Sequence, residues 1–241
     1  MIYVNNAYGK GLALVFQKNF EAKGGKVLAM VPYEEGKPSY RSEVEQVMRV
    51  NPDAINVIAY PVDGNKQLVQ AIEQAYEGEF LLCDGMKGEA VAAGPASKFL
   101  EGSFGTAAGP SPPPEQFTRD FNERFEPSTV PYNREAYDAA VLIALAMRKT
   151  GPSFFDMSRA EQGRAIRDNL RAVGNPPGEE ITYGELEEAF DLLTEGKEIN
   201  YQGVSGPIEF DENGDMSVGA IEIWVIKDGK VVTDRVVKVG M

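Results

Sequence analysis

The 241 residues carry 24 Lys and Arg against 37 Asp and Glu, a formal net charge of −13. That balance, without any basic run, argues against extended nucleic-acid contacts, which need clustered Lys and Arg. Histidine is absent and Cys83 is the single cysteine, so Ser-His-Asp and Cys-His catalysis, His metal ligation and an intramolecular disulfide are all removed.

Residues 2–107 read as four strand-then-helix units. IYVN leads into YGKGLALVFQKNFEAKG, KVLAMVPY into SYRSEVEQVMRVN, AINVIAY into DGNKQLVQAIEQAYE, and FLLCDG into GEAVAAGPASKFL. Such alternation predicts an α/β fold, with a parallel sheet covered by helices on both faces. In the first helix Leu12, Val15, Phe16 and Phe20 form the expected sheet-facing stripe, and Gly24-Gly25 ends it. The second helix turns Val44, Val47 and Met48 inward and stops at Asn51-Pro52-Asp53. The third is expected after Asp63-Gly64-Asn65, capped by Asp63 or Asn65, with Leu68, Ile72, Ala75 and Tyr76 buried. The strands VLAMV and INVIA are continuously apolar, as coverage on both faces requires.

GSFGTAAGPSPPPEQF breaks the rhythm. It opens as a strand, and Pro112 to Pro114 then favour extended polyproline geometry, which marks a boundary between domains. Helices follow at roughly 115–126, 134–149, 158–173 and 183–195. The second of them, REAYDAAVLIALAMRKTG, is apolar almost all round and reads as a core helix. In this region only VSGPIEF, residues 204–210, reads as a strand. AIEIWVI and KVVTDRVVKV then flank Lys227-Asp228-Gly229 as a hairpin with one wet face.

Candidate chemistry gathers at strand ends. Ligands of open parallel sheets lie beyond the carboxyl ends of the strands, where Tyr8, Tyr60 and Asp84 fall. Two aromatic rings and a carboxylate suit a ligand with an ammonium group, through charge-assisted hydrogen bonds and cation–π attraction. The alternatives are simple packing for Tyr8 and helix capping for Asp84. Tyr8-Gly9-Lys10-Gly11 matches neither phosphate-binding glycine pattern, since Leu14 stands where a third glycine is needed. Cys83, at the end of FLLC with no histidine to activate it, reads as a buried structural thiol. Asp211, Asn213 and Asp215 imitate a calcium loop, but Met216 occupies the obligatory glycine position, so a tight turn is expected there. No carboxylate pair for glycoside chemistry is singled out among Asp63, Asp84 and Glu89. No apolar run approaches the roughly 20 residues of a membrane span.

These residues resemble a family. NNAYGKGLA, GGKVLAMVPYEEGKPSYRSEVEQVMRVNPDAI, IAYP, CDG, EGSFGTAAGP, YDAAVLIALA and INYQGVSGPIEFDENGDMSVGAIEIW occur in the order found in type I periplasmic solute-binding proteins of ABC transporters, in the branch that binds branched-chain amino acids and amides. The resemblance implies two α/β lobes with ligand held between them, no enzymatic activity and no cofactor. It implies that residues 1–106 and 219–241 form the complete C-terminal lobe, and 107–218 the second half of an incomplete, mostly helical N-terminal lobe. The first half of that lobe and a signal peptide are then expected to be missing from this chain, with a periplasmic or extracytoplasmic setting for the full-length protein. By the same resemblance Tyr8, Tyr60, Asp84 and Tyr132 contact the ligand, Asp84 pairing with its ammonium. The partners implied are a small-molecule amino acid or amide and an ABC permease. Faces of residues 115–200 left apolar by the absent half are expected to be covered by dimerisation or element exchange. Rival readings are a ligand-sensing regulator on the same fold and a flavodoxin-like or Rossmann-like enzyme.

Overall fold

The computed structural model describes residues 1–109, 113–125 and 132–239. Pro112, and the last residue of the helix expected over 115–126, lie outside the described residues. By their contacts the residues divide into two compact units: Met1–Ala108 with Glu222–Val236, and Gly109–Ile221 with Val237–Met241.

In the first unit the strands are β1 (Ile2–Val4), β2 (Val31–Tyr33), β3 (Ala54–Ile58), β4 (Glu79–Leu82) and β5 (Phe104–Ala108). The helices between them are α1 (Ala7–Ala22), α2 (Arg41–Met48), α3 (Pro61–Glu73) and the single turn α4 (Glu89–Ala92). β8 (Gly219–Lys227) and β9 (Lys230–Val239) return late in the chain to complete a seven-stranded sheet of order β2-β1-β3-β4-β5-β8-β9. The pairs among β1 to β5 are parallel, in the register Ile2↔Val31, Ile2↔Val57, Val57↔Leu82 and Leu82↔Gly105. Asp228 (φ 52°) and Gly229 (φ 69°) make the two-residue turn between β8 and β9, the positive dihedrals that tight hairpins need.

The core of this unit is built from Ile2, Val4, Val57, Ile58, Leu68, Leu82, Met86 and Trp224, all nearly fully buried. The stripe expected on α1 is displaced: Gly9 and Ala13 are buried and Phe16 packs on the core, whereas Leu12, Val15 and Phe20 are exposed. Gly9 sets this rotation. A Cβ there would lie 2.2 Å from the Val4 carbonyl oxygen, so the helix can approach β1 only along its small-residue face. α3 begins earlier than expected. Pro61 supplies its first residue and Tyr60 its N-cap position, so Asp63 and Asn65 sit inside the helix rather than capping it. Ala75, expected inside, is exposed past the helix end in a left-handed conformation, φ 60°. The strand expected over VLAMV, residues 27–31, is displaced toward the carboxyl end: β2 is Val31–Tyr33 and shares only Val31 with it.

The second unit holds α5 (Glu115–Arg124), α6 (Asn133–Thr150), α7 (Arg159–Gly174), α8 (Leu186–Thr194) and a parallel two-stranded sheet of β6 (Glu179–Ile181) and β7 (Ile199–Tyr201). Residues 204–210, expected as a strand, form only isolated bridges, Gln202 with Pro207 and Phe210 with Met216. Two short runs, EEI and INY, supply the strands instead. α6 is not buried all round. Val141, Leu142, Leu145 and Ala146 face a core shared with Val173, Ile181, Leu192 and Ile199, while Ile143 is exposed. Asp138, only 2% exposed, accepts hydrogen bonds from Tyr201 Oη (2.7 Å), the Val204 N–H (2.9 Å) and the Ser205 N–H (2.8 Å). That buried carboxylate holds the loop after β7 against α6 and offsets its own desolvation through these donors. Pro114, at φ −52° and ψ 136°, is in the expected polyproline region before α5.

Candidate functional site

The parallel register brings three strand ends together. Tyr60 follows β3 by two residues and Asp84 follows β4 by two, and Val57 is paired with Leu82. β1 ends at Val4, and Asn6 caps α1 by accepting from the Gly9 N–H (3.0 Å), which places Tyr8 in the first helical turn.

These residues touch. Tyr8 Oη donates to Asp84 Oδ1 at 2.7 Å and lies 3.2 Å from Cys83 Sγ. The Gly85 N–H points to the same phenol oxygen at 3.4 Å. The rings of Tyr8 and Tyr60 stack with centroids 5.7 Å apart and planes inclined by 22°. Tyr60 is exposed, whereas Tyr8 and Asp84 are half-buried. The outcome is a carboxylate beside a two-ring aromatic wall, on the carboxyl-end rim of the sheet, where an ammonium would meet charge and π-faces together.

Burial first, then the neighbouring Cys83 thiol and Asp84 carboxylate, push the Tyr8 phenol far above its ordinary range. It therefore stays a neutral donor and directs its proton to the carboxylate. Burial also raises the Cys83 thiol, although the hydrogen bond from the Tyr8 hydroxyl opposes the shift. Cys83 is buried and donates to the Ala59 carbonyl at 3.6 Å, which fits an inert thiol on the floor of the site. Asp84 opens a one-turn 3-10 segment, Asp84–Met86.

Reading the sequence for ligand contacts passed over Gly85. A Cβ at that position would lie 2.6 Å from the Ala59 carbonyl oxygen and 3.1 Å from Tyr8 Oη, so only glycine lets the phenol settle over the strand end. The signal was a glycine directly after a strand-terminal aspartate. Tyr132 lies in the second unit at the N-cap position of α6, with the left-handed dihedrals φ 75° and ψ 8°. The Asp211–Asp215 segment is a turn, with Asp211 Oδ1 accepting from the N–H groups of Asn213 (2.8 Å) and Asp215 (2.9 Å). Among the described residues no cluster of His, Cys, Asp and Glu could hold a metal ion, and no helix is long and apolar enough to cross a membrane.

The family model described as "Receptor family ligand binding region" matches residues 1–229, and the chain belongs to that family. A relative, the chemotactic signal transduction system substrate-binding protein BasB of Halobacterium salinarum, is 27% identical over 242 residues, covering all of this chain and 54% of its own length. The chain thus spans about half the length of the curated relative it matches.

Among solved structures, the leucine-binding protein LivK of Thermotoga maritima superposes with a TM-score of 0.69 at 22% identity, over 98% of this chain and 60% of that one. The substrate-binding protein LivJ of Streptococcus pneumoniae, solved with isoleucine, gives 0.63 at 19%, over 98% and 59%. The fold is that of type I periplasmic binding proteins. These relatives and neighbours are binding proteins, not enzymes, which sets aside the flavodoxin-like or Rossmann-like enzyme reading.

Proposed function

We propose that this chain is the extracytoplasmic solute-binding component of an ABC importer and takes an aliphatic, branched-chain amino acid or a related amide. The observation that carries the reading is the contact of Tyr8 with both Asp84 and Tyr60 at the carboxyl ends of β1, β3 and β4. Asp84 would receive the ligand ammonium, while Tyr8 and Tyr60 would pack on its first carbons. Tyr132 is a further proposed contact, carried by the second unit. Residues 1–106 with 219–241 are proposed as one lobe and 107–218 as part of the other. Proposed partners are an ABC permease and a second copy of the chain covering the exposed Ile143 and Phe155. A monomer in light scattering at high concentration would remove the second copy.

Titration calorimetry of the chain with leucine, isoleucine, valine and their amides tests the reading. Saturable binding of at least one of them is expected, with no response to an aromatic acid that lacks an ammonium. Absence of binding by all of them contradicts the proposal. A second reading draws support from BasB, a chemotactic substrate-binding protein. On that reading the same ligand is sensed for a signalling receptor rather than imported. Deletion of the chain's gene would then abolish taxis toward the amino acid and leave uptake intact.

A further inference from the structure

β8 buries Glu222, Trp224 and Ile226 on one face. The inward row of a half-buried strand calls for apolar side chains, and Glu222 breaks that row. At 2% exposure its carboxylate requires a countercharge and donors. It has both. Lys87 Nζ pairs with one carboxylate oxygen, and Thr233 Oγ1 on β9 donates to the other at 2.6 Å.

Lys87 also closes the turn that presents Asp84. Its N–H donates to the Asp84 carbonyl at 3.1 Å, and the Met86 N–H donates to the Cys83 carbonyl at 3.0 Å. A lone 3-10 turn of this kind has poor internal hydrogen-bond geometry and little stability of its own. Its far end is pinned to β8 through Glu222, the residue at which the chain re-enters the first unit from the second.

We propose that Lys87 and Glu222 are positioning residues for Asp84. The pair, Glu222 buried and Lys87 part-buried, anchors the Asp84–Lys87 turn on β8 and so fixes where the ligand-facing carboxylate stands. This rests on the reading of Asp84 as a ligand contact, but the anchoring itself is a property of the unliganded chain and can be measured without ligand. A buried ion pair replaced by apolar side chains of similar volume usually leaves a protein folded, whereas removal of one partner does not. Lys87→Met/Glu222→Leu therefore separates anchoring from folding.

Amide hydrogen exchange and leucine titration on the parent, this double variant and Lys87→Arg form the test. In the double variant the amides of residues 86 and 87 are expected to exchange about tenfold faster or more, with the amides of β3 and the melting temperature unchanged. Leucine affinity is expected to fall about tenfold, and Lys87→Arg, which keeps the ion pair, to stay near the parent on both measures. Unchanged exchange at residues 86 and 87 overturns the proposal. So does faster exchange across the whole unit, which marks a merely structural pair. If the double variant does not fold, Glu222→Gln is read by the same exchange criterion. If the parent binds no amino acid, the functional reading fails on its own and the exchange result still decides the anchor.

Discussion

Tyr8 and Asp84, 76 residues apart in the chain, are joined by a 2.7 Å hydrogen bond from phenol to carboxylate. The bond orients one carboxylate oxygen and ties the first turn of α1 to the end of β4. Burial first, with the Cys83 thiol and this carboxylate adding to it, pushes the phenol far above its ordinary range, so it remains a donor.

Tyr8→Phe keeps the stack on Tyr60 and deletes the hydroxyl that donates to Asp84 and faces Cys83 Sγ and the Gly85 N–H. A hydrogen bond to a charged group contributes about 1.5–3 kcal/mol to stability, so the variant should stay folded but melt lower, and amino acid affinity should drop because Asp84 is no longer oriented. Calorimetry and circular dichroism on the same sample check both halves of this expectation.

Gly85→Ala forces a methyl group to within 2.6 Å of the Ala59 carbonyl oxygen and 3.1 Å of Tyr8 Oη. Overpacking of this kind typically costs about 1–3 kcal/mol. The midpoint of urea unfolding should move down accordingly, and affinity should fall with it because the phenol is displaced. A variant with parent stability and parent affinity would show that the strand end has room the geometry does not allow.

Much of this was legible in the sequence because the relevant signals are local. Alternating apolar runs and helical periods marked every helix from α1 to α8, although the helix expected over GEAVAAGPASKFL is cut to the single turn α4 and a 3-10 segment, Ser97–Phe99, and the hairpin of β8 and β9 followed from its turn residues. Tyr8, Tyr60 and Asp84 were recognisable because a strand's carboxyl end can be read from where an apolar run stops. What was not legible depends on pairing between distant segments. The rotation of α1 follows from the approach of Gly9 to Val4, and the roles of Gly85 and Lys87 from atoms 77 and 135 residues away. β6 and β7 were missed because runs of three residues, EEI and INY, carry too little period to stand out, and they gain their strand character only by pairing Glu179 with Ile199 and Ile181 with Tyr201.

The capping box of α7 gives a pH-dependent expectation. Ser158 Oγ accepts from the Glu161 N–H, while the Ser158 N–H and hydroxyl donate to Glu161 Oε2 at 2.8 and 2.6 Å. Those donors lower the Glu161 carboxyl below its ordinary value. A depressed folded-state pKa stabilises above the unfolded value, and the effect is lost as pH falls through the folded one. Ser158→Ala should cost about 1 kcal/mol at neutral pH. Thermal melts at neutral and strongly acidic pH should show that penalty shrinking in acid, because the part carried by the Glu161 carboxylate has gone. A penalty that grows in acid would be the wrong sign for this arrangement.

The most direct measurement is calorimetric titration of the parent chain and Asp84→Ala with leucine, isoleucine and valine under identical conditions. A buried ammonium deprived of its counter-carboxylate loses several kcal/mol, so the variant should bind on the order of a hundredfold more weakly or not at all while remaining folded. Equal affinities for parent and variant would contradict the assignment of Asp84 as the ammonium-binding group, and with it the account of this rim as an amino acid site.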